Sequence, residues 1–153
     1  MAERTLIIVK PDGIGRHLAG EIISRFERKG FKLVAAKFMQ IPEAVARKHY
    51  AVHKGKPFFE GVVKYLSSAP SLVMVWEADG VIDMSRKMMG ATFGYEAAAG
   101  TIRGDFSCSR GYNLVHGSDS PESAATEISL YFRPDEIAEY NFADEKWLYG
   151  KND

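Results

Sequence analysis

Apolar and polar positions alternate between two periods along the chain, and the switches between them mark its elements. Leu6-Ile7-Ile8-Val9 is a short continuous apolar run, the signature of a buried strand, and Pro11-Asp12-Gly13 ends it. Leu18, Ile22, Ile23 and Phe26 then recur at helical spacing, with Gly30 as the stop. From Phe31 to Met39 the period returns to two, Phe31, Leu33 and Ala35 alternating against Lys32, Val34 and Ala36. Residues 43–53 and 58–66 read as helices, the second beginning near Pro57. Leu72 to Trp76 is the third strand, closed by Asp79-Gly80, and a helix follows over 81–89. A loop rich in Gly and Ala runs to Gly104, Tyr112 to Val115 forms the fourth strand, and 121–132 the last clear helix. Strand-helix alternation by itself favours a parallel α/β sheet. A four-stranded antiparallel sheet with helices on one face fits the short chain equally well, and periodicity does not choose between them.

A chain of 153 residues forms one domain burying roughly 70% of its unfolded surface. No run is long enough to span a bilayer, and residues 1–10 carry no signal-peptide pattern. Lys+Arg and Asp+Glu balance at 20 each, so no global field draws the chain to nucleic acid or a membrane. The single cysteine, Cys108, excludes an internal disulfide and suits a reducing, cytoplasmic setting; its serine neighbours supply no activating base.

The chemistry concentrates in Asn113-Leu114-Val115-His116-Gly117-Ser118-Asp119-Ser120-Pro121-Glu122. Here an imidazole follows a short apolar run and precedes a helix start, with Ser120 as N-cap and Pro121 as first helical residue. A neutral imidazole is a competent nucleophile, and a helix N-terminus favours negative charge, so the pair points to phosphate chemistry. On the last helix Ala124, Ala125, Ile128, Tyr131 and Phe132 form the apolar stripe, and Glu127 falls at its edge, within reach of His116. A carboxylate on one ring nitrogen would leave the other nucleophilic; the alternative is a solvated rim carboxylate. Phosphoryl transfer needs cations, and Lys10, Arg86 and Arg103 are candidates that could each be ordinary surface charge. Phe58-Phe59 could stack on a base or belong to the core. Lys10-Pro11-Asp12-Gly13-Ile14-Gly15 is neither a Walker A loop nor a dinucleotide fingerprint. His17, His49 and His53 lack metal-site partners at useful spacing, and no metal-ligand cluster is visible; they read as surface or packing residues. A Ser/His/Glu hydrolase from Ser118, His116 and Glu127 is set aside because Ser118 has no nucleophile elbow.

The ordered series Glu3-Arg4-Thr5, Lys10-Pro11-Asp12-Gly13, His49-Tyr50, Pro57-Phe58-Phe59, Val75-Trp76-Glu77, Gly100-Thr101-Ile102-Arg103-Gly104-Asp105 and Asn113-x-x-His116-Gly117-Ser118-Asp119-Ser120 resembles the nucleoside diphosphate kinase family. The resemblance covers essentially all of residues 1–153, which it implies are one kinase domain. It implies an α+β fold with a ferredoxin-like antiparallel sheet of four strands. It also implies two-step transfer of a nucleoside triphosphate's terminal phosphate, mainly that of ATP, to a nucleoside diphosphate through phosphohistidine at His116. By the same resemblance Glu127 and Ser118 orient the imidazole, and Tyr50 donates a hydroxyl near the γ-phosphate. Lys10 and Asn113 meet the ribose, Lys10 also the moving phosphate. Phe58 and Val62 form the base slot, and Arg86, Thr92 and Arg103 the phosphate clamp. Mg²⁺ is expected on the nucleotide phosphates, with no protein metal ligand. A homohexamer is implied by the tail through Trp147-Leu148-Tyr149. One stretch departs from the family: Thr92-Phe93-Gly94-Tyr95-Glu96-Ala97-Ala98-Ala99-Gly100 lacks the usual prolines of a loop used at trimer contacts. The competing class is a non-catalytic nucleotide-binding or single-stranded nucleic-acid-binding module on the same fold.

Overall fold

Leu6, Ile7, Ile8 and Val9 are all fully buried, although successive strand residues point to opposite sides of a sheet. Both faces of their strand must therefore be covered, and the computed structural model, which describes residues 2–153, shows how. Strand β1 (Glu3–Val9) lies inside a sheet of order β2-β3-β1-β4, with β2 (Lys32–Met39), β3 (Ser71–Ala78) and β4 (Val115–Gly117). Every pairing is antiparallel. The fold is a single α+β domain of ferredoxin-like type, and the parallel arrangement favoured by element alternation is overturned.

Ile7 and Val9, with Met74 and Trp76 of β3, share one core with α2 (Ala19–Arg28) and α5 (Val81–Met89). Leu6 and Ile8, with Val73 and Val75, share the other with α3 (Glu43–His49) and α4 (Phe59–Leu66). Helix α7 (Pro121–Tyr131) spans both, giving Ala124 to the first and Tyr131 to the second. Helices on both faces explain the unbroken apolar run in β1, where a one-sided sheet would alternate. The alternation read in β2 holds only to Leu33. The register with β3 shifts between Leu33 and Ala35, and this bulge lets Val34 and Ala35 both enter the second core.

Several boundaries follow their sequence signals. Gly30 adopts φ +95°, and the Phe31 N–H reaches back to the Phe26 carbonyl at 3.2 Å, closing α2. Ser120 caps α7 by accepting from the Ser123 N–H at 3.1 Å, with Pro121 following. Three boundaries differ. Pro11-Asp12-Gly13 opens a short helix, α1 (Pro11–Gly15), instead of a plain turn. Helix α3 stops at His49 and gives way to a single 3-10 turn at Ala51–His53. The Gly/Ala loop hides helix α6 (Ile102–Phe106), whose cap Thr101 accepts from the Gly104 N–H at 3.0 Å and donates to the Ala98 carbonyl at 2.6 Å. A Cβ on Gly104 would collide with that same carbonyl.

The fourth strand is also displaced, starting at Val115 instead of Tyr112. Leu114 sits at φ +71°, a conformation that a branched side chain rarely adopts, and this breaks the strand. It is held from both sides: its N–H donates to Asp12 Oδ2 at 3.1 Å, and its carbonyl accepts from the Lys10 N–H at 2.8 Å. Gly13 leaves room for that carbonyl, which would lie 3.1 Å from an added Cβ. The consequence is that His116 lies within β4, opposite Ile8, on a rigid rung of the sheet.

Gly104→Ala is expected to cost about 1–3 kcal/mol, because backbone must move to admit the methyl. Thr101→Ala should cost about 1 kcal/mol through the lost cap. Urea melts should show a lowered midpoint at unchanged slope for both; a Gly104→Ala midpoint equal to the parent's would refute the close approach.

Candidate active site

His116 pairs with Ile8, whose side chain enters the α3/α4 core, so the imidazole points to that side of the sheet. Lys10, two residues beyond Ile8, shares this face, and α7 runs across it. Glu127 projects from α7 and accepts a hydrogen bond from His116 Nε2 at 3.0 Å. The same carboxylate oxygen accepts from the Ser118 hydroxyl at 2.7 Å. That hydroxyl in turn accepts the Leu6 N–H at 3.1 Å, which fixes its direction from β1. Burial alone would raise the Glu127 carboxyl, but the bond and charge of His116 and the Ser118 hydroxyl outweigh it, and the pKa is lowered. An ionised Glu127 accepts only, so Nε2 carries a proton, and in the neutral ring the lone pair lies on Nδ1.

Cations sit at one end of this arrangement. Lys10 is buried, donates to Asn113 Oδ1 at 2.9 Å and lies over the Tyr65 ring at 5.3 Å. Burial and the Arg103 charge lower its pKa to about 7, against the opposing pull of Asp12. Asn113 passes the contact on, its amide donating to the Thr92 carbonyl at 3.1 Å. Arg103 donates to the carbonyls of Asn113 (3.2 Å), Gly90 (3.0 Å) and Val115 (2.7 Å). It therefore ties α6 and the end of α5 to the strand that carries His116. Burial and neighbouring Arg86 lower its pKa to about 10. Arg86 and Thr92 are exposed at the rim.

The aromatic side of the site forms a chain of rings. Phe58, 49% exposed, meets His53 edge-on at 5.1 Å, and His53 meets Tyr50 at 6.3 Å. Tyr50 meets His49 at 4.8 Å, and His49 meets His116 at 4.3 Å. Val62, half-buried, lies one helical turn after Phe58 and donates its N–H to the Phe58 carbonyl at 3.0 Å, so both flank one slot. Burial and the Glu127 charge raise the Tyr50 hydroxyl, against the pull of Arg103, and keep it a neutral donor.

His49 is the residue that sequence reasoning missed. It is a buried packing residue, as read, but the reading that it lacks metal-site partners is corrected: it adjoins His116, and its Nε2 lies 3.8 Å from Glu127 Oε2. Among the described residues a His49/His116/Glu127 cluster capable of coordinating a metal ion is present, its ligand atoms within 4.8 Å of one another. Sixty-odd residues separate its two histidines (49 and 116), so no spacing motif could reveal it; the His49-Tyr50 pair was the only signal. Two imidazoles and one carboxylate do not suit Mg²⁺, which prefers oxygen ligands and retained waters.

Lys10 bonded to Asn113, and Arg103 bonded to the backbone of Asn113 and Val115, put cations beside the strand that carries His116, an arrangement that suits transfer of an anionic phosphoryl group and so the phosphotransferase class. The family model for nucleoside diphosphate kinase matches residues 3–137. A nucleoside diphosphate kinase of Carboxydothermus hydrogenoformans is 54% identical over 147 residues, covering 96% of this chain and 99% of that protein. The structure of a halophilic nucleoside diphosphate kinase from Halobacterium salinarum in complex with CDP superposes at TM-score 0.95 with 45% identity, covering 98% of this chain and 100% of that one. A transition-state mimic of the Borrelia burgdorferi enzyme with bound vanadate and ADP gives 0.89 at 38% identity, covering 94% and 95%. This chain belongs to the nucleoside diphosphate kinase family and is an enzyme of that phosphotransferase class. No described helix is long and apolar enough to cross a membrane.

The lowered Lys10 pKa has a thermodynamic sign. Between about 7 and the ordinary 10.5 the unfolded chain binds more protons than the folded one, so stability rises with pH across this window. The slope from one such group approaches about 1.4 kcal/mol per pH unit. Lys10→Met should remove that rise from a chemical-denaturation series at pH 7–10; an unchanged slope would contradict a depressed ammonium.

Proposed function

We propose that His116 is the phosphoryl carrier of a ping-pong exchange between nucleoside triphosphates, mainly ATP, and nucleoside diphosphates, within one kinase domain spanning residues 1–153. The observation that carries the reading is the bond from His116 Nε2 to Glu127, which leaves Nδ1 as the nucleophile. The Nδ1 lone pair attacks the γ-phosphorus; the bond to the β,γ-bridging oxygen breaks, and the diphosphate departs with the electron pair. An oxygen of a second diphosphate then attacks phosphorus, the N–P bond breaks, and the ring regains its lone pair. Glu127 compensates the ring's positive charge in both half-reactions, and Ser118 holds the carboxylate in place.

The other roles follow the geometry and the family resemblance. Lys10 and Asn113 meet the ribose, with Lys10 also reaching the moving phosphate. Arg86, Thr92 and Arg103 bind the phosphates. Arg103 spends three of its five N–H donors on the backbone, and the rest are free for anionic oxygens. Tyr50 donates near the γ-phosphate. Phe58 and Val62 hold the base; stacking on an exposed ring accepts every base, because each has a π-face. CDP in the halobacterial relative and ADP with vanadate in the Borrelia enzyme support a site shared by different bases and able to bind a phosphoryl mimic. Mg²⁺ would arrive on the nucleotide, shielding phosphate charge.

We also infer a homohexamer. Its support is the tail, where Trp147 is exposed beside Leu148 and Tyr149, together with the family's use of the 92–100 loop at subunit contacts. In this chain Arg25 and Asp105 staple that loop: Arg25 donates to the Gly100 carbonyl at 3.1 Å and to Asp105 at 2.7 Å, and Asp105 accepts the Gly100 N–H at 2.8 Å. These bonds supply some of the order that prolines give elsewhere. Sedimentation should give six times the 17.0 kDa chain mass; a monomer at micromolar concentration would contradict the assembly.

Brief exposure to γ-labelled ATP and Mg²⁺ should leave an acid-labile, base-stable label that passes to GDP. His116→Ala should carry none, and retained exchange in that variant would end the assignment. Glu127→Gln is a sharper probe, because its amide can donate to Nε2 and push the ring proton onto Nδ1. The expected loss in kcat is roughly 10²–10⁴-fold, as when an imidazole is held in the wrong tautomer. A Glu127→Gln enzyme with full kcat would sink the orienting role.

A further inference from the structure

Phosphoryl transfer as described leaves His49 without a chemical step, yet its position is unusual. The side chain is 1% exposed, Nδ1 lies 3.0 Å from the Tyr131 hydroxyl, and Nε2 has no hydrogen-bond partner. That orphaned nitrogen faces Glu127 Oε2 at 3.8 Å, while His116 Nε2 holds Glu127 Oε1 at 3.0 Å. We propose that His49 Nε2, His116 Nε2 and the Glu127 carboxylate form a site for a divalent d-block cation of zinc's kind, and that its occupation switches phosphoryl transfer off. The binding half stands on the cluster's geometry; the inhibitory half rests on His116 being the phosphoryl carrier.

The donor set decides the ion. Two imidazoles and a carboxylate with a further position open to water are a familiar Zn²⁺ environment, with ligands at about 2.0–2.2 Å. The three donor atoms already lie within 4.8 Å of one another, so modest side-chain rotation gathers them around one ion. A metal here would bind through two imidazole lone pairs and a carboxylate oxygen. The Tyr131 hydroxyl either donates or accepts, so it can take the Nδ1–H of His49 and free the Nε2 lone pair for the metal.

The inhibition follows from proton bookkeeping on one ring. In the transfer-competent form the His116 proton is on Nε2, against Glu127, and the lone pair is on Nδ1. A cation on Nε2 needs that lone pair, so the proton moves to Nδ1 and no proton leaves the neutral ring. The nitrogen that would attack phosphorus then carries hydrogen instead. Metal occupancy and nucleophilic attack are mutually exclusive, whichever base the nucleotide carries.

The test uses the full chain with Cys108→Ser, which removes the exposed thiol as a competing ligand. Titrating Co²⁺ without nucleotide should give one saturable equivalent with the visible absorption of a low-coordinate cobalt centre, displaced by Zn²⁺. Adding His49→Gln should weaken that binding at least tenfold. In case His49→Gln misfolds, ¹H–¹⁵N spectra of histidine-labelled protein with His49 intact should show the His116 proton moving from Nε2 to Nδ1 on adding Zn²⁺. Zinc should also block ATP labelling at about one equivalent, with a chelator restoring it. No saturable cobalt, binding indifferent to His49→Gln, or an unmoved His116 proton would overturn the site. Failure of labelling before any zinc is added would instead contradict the phosphotransfer reading, while the cobalt titration would still judge the site.

Discussion

The bond between His116 Nε2 and the Glu127 carboxylate is the constraint on which the other features of the site depend. In the proposed reaction it selects which ring nitrogen attacks, and it joins β4 to the next element of the chain, α7. Its precision derives from the sheet: Ser118 grips the Glu127 oxygen while its own backbone and hydroxyl are bonded to Leu6 of β1. An imidazole on a strand rung, oriented by a carboxylate that a second strand steadies, has little freedom left to lose. That is preorganisation in its structural sense.

The second feature is electrostatic. Lys10 is buried and Arg103 half-buried: burial and the Arg103 charge bring Lys10 to about 7, and burial with the Arg86 charge brings Arg103 to about 10. Cations so placed suit the polyphosphate that the proposed reaction brings to them. The strained Leu114, held by Asp12 and Lys10, belongs to the same design, because it ends the strand where Asn113 must turn toward Lys10.

Much of this was legible in the sequence, for identifiable reasons. Ser120-Pro121 announced the start of α7, and helical geometry put Glu127 at the edge of the Ala124–Tyr131 stripe, where it meets His116. The continuous run at 6–9 announced a strand buried on both sides but could not give the direction of its neighbours, since burial is blind to strand polarity. Local reading failed where tertiary contacts override it. Leu114 takes a left-handed conformation that no propensity assigns to leucine, so the fourth strand was placed too early. Helix α6 is short and holds together through Thr101 and the close approach of Gly104 to Ala98, which a Gly/Ala-rich stretch does not advertise. His49 looked like an ordinary packing residue because its partners come from other elements: the orphaned nitrogen exists only once α3 is laid against β4 and α7.

The most direct test of the central claim is to locate the phosphorus on the ring. Protein labelled with ¹⁵N-histidine and phosphorylated by ATP should show phosphorus coupled to Nδ1 of His116, with Nε2 still protonated and bonded to Glu127. Phosphorus on Nε2, or on any residue other than His116, would contradict the account.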